Sequence, residues 1–90
     1  MNPGLKLPKV DQRNPLPKYL QAQAILLGAI RTGHLPPGSK LPSTKDIGVL
    51  VDVSLITAHK VLEGLAALGW LRREFGRGTY VRASTGPAPM

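Results

Sequence analysis

Between residues 18 and 32 apolar side chains return every three or four positions, at Tyr19, Ala22, Leu26, Ala29 and Ile30. That spacing draws one stripe down a helix and predicts a first helix over Lys18–Thr32 with the stripe in the core. Gly33 follows where a helix C-terminus favours glycine. A second apolar line, Leu20, Ala24 and Leu27, lies well round the helix from the first. It is expected to face a partner or a further domain. The loop His34–Leu41 has room for a short strand at Lys40–Leu41. Thr44–Val51 predicts a second, short helix with Ile47 and Val51 inward. Leu55–Leu68 predicts a third, with Ala58, Val61, Leu62 and Leu65 inward and Gly69 at its end. Strands are expected over Leu71–Phe75 and Thr79–Arg82, about the turn Gly76-Arg77-Gly78. The expected class is α+β, mainly α: three helices plus a β-hairpin.

The polar punctuation agrees with these boundaries. Ser43 and Ser54 stand where a hydroxyl caps the orphan N–H groups of a helix start. Asp46, in the first turn of the second helix, favours its positive end. Gly48 costs about 1 kcal/mol of helix propensity against alanine, so its expected use is close helix approach. Gly64 has no comparable reason in the sequence. Asp52 falls in the turn between helices two and three, where a left-handed backbone is plausible and aspartate tolerates it better than most residues. Two helices joined by so tight a turn read as a helix-turn-helix, whose second helix enters the DNA major groove.

Charge strengthens that reading. Twelve Lys and Arg oppose five Asp and Glu over 90 residues, a net +7. A solvated surface would explain such a balance, but in so small a domain nucleic acid is favoured as the partner. There is no cysteine, which excludes a disulfide framework and thiolate metal sites and fits a cytoplasmic protein. No apolar run approaches the ~20 residues of a membrane span, so no membrane partner is expected. Prolines stand where a signal peptide needs its apolar run. Residues 1–17 hold four prolines and one glycine, with Lys6, Lys9 and Arg13. Residues 1–14 are therefore expected to be a flexible basic arm, lying along DNA or simply solvated. Residues 15–82 form the expected folded module. Residues 83–90, small residues and prolines, are expected to be a tail or a linker to an absent C-terminal effector or dimerisation domain.

Enzymatic chemistry finds little support. His34 and His59 lie far apart, the acids form no paired arrangement, and no phosphate-cradling glycine motif is present. His34 is expected at the carbonyl end of helix one and not at a metal. No catalytic residue, metal ligand or cofactor is expected. Arg77 is different. A cation at the tip of a glycine turn is exposed by construction. It is either ordinary turn chemistry or, beside a helix-turn-helix, a wing reaching the minor groove or its phosphates; the second is favoured.

Four segments then come together: Pro37-Gly38-x-x-Leu41-Pro42-Ser43, Val53-Ser54-x-x-Thr57, Leu68-Gly69-Trp70-Leu71 and Gly76-x-Gly78-Thr79-Tyr80-Val81. In this order and spacing the chain resembles the winged-helix DNA-binding domain of GntR-family bacterial transcription regulators, over about Pro15–Arg82. The resemblance implies a repressor-like regulator of operator DNA, usually dimeric, with an effector sensed by a separate domain. It also implies DNA-contact positions. Where the family usually carries arginine in the second helix stands Lys45, which keeps the charge without the bidentate fork. Where the third helix usually opens Ser-Arg-x-Thr stand Ser54, Leu55, Ile56 and Thr57. His59 takes a position often held by arginine. Lys60 and Arg73 are expected phosphate contacts, and Gly76, Arg77 and Gly78 match the wing tip. Ser43 completes the expected set. Asp52 replaces a usual glycine.

Leucine cannot make the guanine contact of the missing arginine. Leu55 and Ile56 either touch thymine methyls or, for Leu55, pack locally and contact no base. A different function is also open: a winged helix that docks a protein through Leu55 and Ile56.

Overall fold

A computed structural model describes residues 7–74 and 76–82. Residues 1–6 of the expected arm, Phe75 and the expected tail at 83–90 lie outside the described residues. The order is α1 (Lys18–Thr32), α2 (Thr44–Val51), α3 (Leu55–Ala67), β1 (Leu71–Glu74) and β2 (Gly78–Val81). Helix α1 starts after Pro17, whose fixed φ suits a helix entrance, and stops at Gly33 in the left-handed conformation. Its buried residues are Ala22, Leu26, Ala29 and Ile30. Tyr19, expected among them, is half-buried: its hydroxyl must stay near water or a polar group. Helix α3 stops one residue before the expected Leu68, which serves as its C-cap.

Helix α3 is the centre of the packing. Its residues Ala58, Val61, Leu62 and Leu65 have no exposed surface, and α1, α2 and β1 all pack on it. Two glycines set the closeness. A methyl group on Gly48 would lie 3.0 Å from the Val53 carbonyl oxygen and 3.6 Å from Ala58 Cβ, so the expected close approach is real. Gly64 has a reason that the sequence did not reveal: its missing side chain makes room for the Tyr19 hydroxyl and the Gln23 amide of α1, which would lie 3.0 and 3.2 Å from a Cβ there.

The turn between α2 and α3 passes through Asp52 at φ 64°, the one positive-φ residue other than glycine among those described. The amides of Asp52 and Val53 both donate to the Gly48 carbonyl. The hairpin pairs Leu71 with Val81, Arg72 with Tyr80, Arg73 with Thr79 and Glu74 with Gly78. Strand β2 starts and ends one residue before the expected Thr79–Arg82, and the Arg77 amide donates to the Glu74 carbonyl at 2.9 Å in the turn. The short strand expected at Lys40–Leu41 is a bridge onto β2, with Leu41 N donating to Thr79 O at 2.8 Å and Val81 N to Ser39 O at 2.9 Å. So β2 is held on both edges, and Leu41, Leu71 and Val81 bring it into the core.

One expectation is corrected. From Leu7 to Asn14 the chain is not a free arm. Val10 is 6% exposed, joins the core, and donates its amide to Val51 O at 3.0 Å. Gln21 clamps the segment by accepting from Asp11 N and donating to the carbonyls of Asp11 and Leu16. Lys9, one of the basic residues of that segment, donates to Val49 O at 3.3 Å. One isolated valine produces no periodic signal, which is why sequence patterning misses this contact. His34 stands at the end of α1 as expected, but its partner is a hydroxyl and not a carbonyl. Its Nδ1 lies 2.8 Å from the Thr32 hydroxyl, which itself donates to Gly28 O. On the second line of α1, Leu20 and Ala24 are exposed and Leu27 is half-buried against the core.

The two internal glycines Gly28 and Gly48 should respond oppositely to alanine. Nothing lies within 4 Å of a Cβ at Gly28, so Gly28→Ala should raise stability by about 0.5–1 kcal/mol. At Gly48 the obstacle is backbone and cannot swing aside, so Gly48→Ala should lower stability by about 1 kcal/mol despite better propensity. Urea denaturation of both variants checks the opposite signs.

Candidate nucleic-acid interface

Helix α2 begins with a working cap. The Ser43 hydroxyl accepts from Asp46 N at 3.1 Å. Lys45, in the first turn, is exposed. Helix α3 begins the same way, with Ser54 Oγ accepting from Thr57 N at 3.1 Å and donating to Thr57 Oγ1 at 3.0 Å. The Ser54 hydroxyl is thus spent on the helix start. Beyond it Leu55, Ile56, His59 and Lys60 are exposed, while Thr57 is half-buried. Leu55 is 58% and Ile56 72% exposed, so neither belongs to the core. Ile56, His59, Lys60 and Glu63 recur at three- and four-residue spacing and share the face opposite the core stripe.

The hairpin meets this face. Arg73 of β1 lies between helices: its Nη1 is 3.0 Å from Glu63 Oε2 of α3, and its Nη2 donates to Thr44 Oγ1 of α2 at 3.4 Å. The approach to Glu63 is close but poorly aligned, so Nη1 makes no hydrogen bond. The attraction is therefore mainly one of charge, which tolerates poor angles. With 26% of its side chain exposed, Arg73 is already engaged and does not stand free for a phosphate. It ties the wing to both helices. Glu74 sits between two other arginines, 2.8 Å from Arg72 Nε and 3.9 Å from Arg77 Nη1. The Arg72 guanidinium also lies over the Tyr80 ring, 5.7 Å from its centroid. Arg77 is 78% exposed at the turn, where Gly76 and Gly78 take positive φ values closed to most side chains.

Two open grooves flank this arrangement. One, of about 510 Å³, separates the start of α2 from the wing and is bordered by Lys40, Ser43, Thr44, Arg73, Arg77 and Gly78. The other, of about 550 Å³, separates α3 from the wing and is bordered by His59, Glu63, Arg73, Gly76, Arg77 and Gly78. Arg73, Arg77 and Gly78 border both, so the α2 start, the α3 face and the wing open onto one surface. Of the sequence-derived candidates, Ser43, His59, Arg73, Gly76, Arg77 and Gly78 border these grooves. Lys45, Ser54, Leu55, Ile56, Thr57 and Lys60 lie beyond them on the two helices. Lys40 was not a candidate, yet its side chain crosses Gly78, with Cε 2.8 Å from where a Cβ would stand. Its bridge to Tyr80 places it there, and only the strand tendency of Lys40–Leu41 hinted at that. Lys40, Arg73 and Arg77 outnumber Asp46 in the first groove, Glu63 and Glu74 balance Arg73 and Arg77 in the second, and an apolar pair lies at the start of α3. No group of three or more His, Cys, Asp or Glu that could hold a metal occurs among the described residues. No helix among them is long and apolar enough to cross a membrane.

Comparison with known proteins gives a consistent result. Residues 18–81 match the family model for bacterial regulatory proteins of the gntR family. The transcriptional repressor NagR of Bacillus subtilis (strain 168) is 33% identical over 72 residues, covering 80% of this chain and 30% of NagR. YtrA from Sulfolobus acidocaldarius, a GntR-family transcription factor, superimposes with a TM-score of 0.76 at 27% identity, over 86% of this chain and 66% of that one. The DNA-binding domain of AraR, solved in complex with an operator, gives a TM-score of 0.73 at 27% identity, over 82% and 93% of the two chains. The chain spans under a third of the length of the curated relatives it matches.

The two ends of the first α3 turn should separate on substitution. Ser54→Ala removes a cap and should cost about 1 kcal/mol. Leu55→Ala and Ile56→Ala should each leave stability within about 0.5 kcal/mol, because neither side chain packs on the fold. Chemical denaturation of the three variants checks this.

Proposed function

The chain belongs to the gntR family of bacterial regulatory proteins, and from that premise we propose that residues 15–82 are the sequence-specific DNA-binding module of a transcription regulator. Helix α3 lies in the major groove of operator DNA, and the wing, residues 71–82, lies at the minor groove or its phosphates. The observation that carries this is the single surface on which the α2 start, the free face of α3 and Arg77 converge. The complex of the related AraR domain with its operator supports it. Lys40, Lys45, Lys60 and Arg77 supply phosphate contacts and set register, while the first turns of α3 read bases. The role of Arg73 is to hold the wing against the helices.

The rest of the reading concerns the whole regulator. Its relatives are more than three times as long as the matched region. Homodimerisation on paired half-sites and sensing of a small effector belong to this proposal as functions outside residues 15–82, in a cytoplasmic, non-catalytic protein. A protein-docking role is the second reading, favoured only by the exposure of Leu55 and Ile56.

Fluorescence anisotropy on a selected duplex and on a scrambled control, across a salt series, tests the proposal. Arg77→Ala should weaken binding to both duplexes and reduce the slope of log affinity against log salt by about 1. Thr57→Ala should weaken the selected duplex more than the control; equal losses remove Thr57 from base reading. If Leu55→Asp abolishes binding to a protein partner while leaving DNA binding intact, the docking role replaces the proposal.

A further inference from the structure

The start of α3 is an odd surface to present to a polyanion. Leu55 and Ile56 are 58% and 72% exposed, and the fold does not need them, since the buried face is complete with Ala58, Val61, Leu62 and Leu65. The helix Leu55–Ala67 contains no Arg, Asn or Gln. Those side chains read guanine or adenine edges through paired hydrogen bonds. The polar groups that α3 does carry are mostly committed. Ser54 caps the helix and donates to Thr57, and Glu63 faces Arg73. Thr57, whose hydroxyl accepts from Ser54 and keeps its own proton, His59 and Lys60 remain as single-point donors. In the major groove the apolar group that distinguishes one base pair from the rest is the thymine 5-methyl, and an aliphatic side chain is its natural partner.

Resting on the DNA-binding reading above, we propose that Leu55 and Ile56 are specificity-determining residues that read thymine 5-methyl groups. The target is then defined at those positions by methyl groups and not by hydrogen-bond patterns. Successive helical residues point in different directions, so the two side chains address different bases. The charge around them favours DNA over a protein as the occupant of this surface. His59 and Lys60 share their side of the helix, and the grooves bordered by Lys40 and Arg77 open beside it. Two isolated aliphatic side chains among cations also fall short of the broad apolar patch that marks a protein-binding site.

The test is methyl deletion. Duplexes are selected from a random pool at low salt with the full chain, and each thymine of the enriched sequence is then replaced by uracil, which removes only the methyl. One or two replacements should weaken binding about fourfold each, the effect of one buried carbon. In Leu55→Ala and Ile56→Ala the penalty at one such position should disappear while the other persists. Circular dichroism melts confirm that the variants are folded. Equal affinity for thymine and uracil duplexes overturns the proposal, as does a methyl penalty that survives in the double alanine variant. So does salt-sensitive binding with no enriched sequence, although that result leaves DNA binding itself standing. Failure to bind any duplex at low salt overturns the underlying DNA-binding reading as well, and leaves a protein partner for the Leu55–Ile56 surface.

Discussion

The stripe Ala58, Val61, Leu62 and Leu65 on α3 is wholly withdrawn from solvent, and α1, α2 and β1 all pack on it. Burying a leucine or valine side chain is worth about 1.5–3 kcal/mol, so this one stripe outweighs any single polar contact in the domain. It also fixes orientation. Once the stripe is buried, the opposite side carrying Ile56, His59, Lys60 and Glu63 can only face outward. Because β1 packs on the same helix, the wing is held beside that outward side. The interface therefore follows from the core. The polar ties of Arg73 to Glu63 and Thr44 refine a placement that apolar burial has already made.

Much of this was legible in the sequence. The spans of α1 and α2 were readable to the residue, because clear helical spacing coincided with Pro17, Gly33, Ser43 and Asp52 at the ends. The left-handed Asp52 was readable because a tight turn between helices leaves few alternatives. The cap hydroxyls of Ser43 and Ser54 were readable for the same local reason. What sequence could not give was contact between distant segments. Val10 donates to Val51, Gln21 clamps Asp11 and Leu16, and Gly64 receives Tyr19 and Gln23. Each depends on how the helices pack and leaves no periodic trace. For the same reason Arg73 looked like a free cation beside Arg77, although one is held between helices and the other is exposed.

The relatives place these details in a family without making them uniform. A gntR-type match over residues 18–81 accounts for the shared frame of three helices and a hairpin. Within that frame this chain places leucine and isoleucine after the α3 cap and aspartate at the turn. The fold is indifferent to the first change, since both side chains point to solvent. It absorbs the second through the amides of Asp52 and Val53, which share the Gly48 carbonyl, and through the Gln12 amide on Asp52 Oδ2 at 3.3 Å.

The contact between Glu63 and Arg73 can be restated in the language of electrolytes. A mobile anion near a fixed cation is set free when a phosphate takes its place, and its escape into solution drives association. Glu63 is an anion tethered to the same molecule, so it has nowhere to go and gains no entropy when displaced. A phosphate arriving at Arg73 exchanges one negative neighbour for another and leaves the two repelling each other. Arg73 therefore carries its counterion within the molecule. Among the described residues, Lys40, Lys45 and Lys60 face no such tethered anion, and Arg77 faces a looser one, Glu74 at 3.9 Å with the arginine 78% exposed.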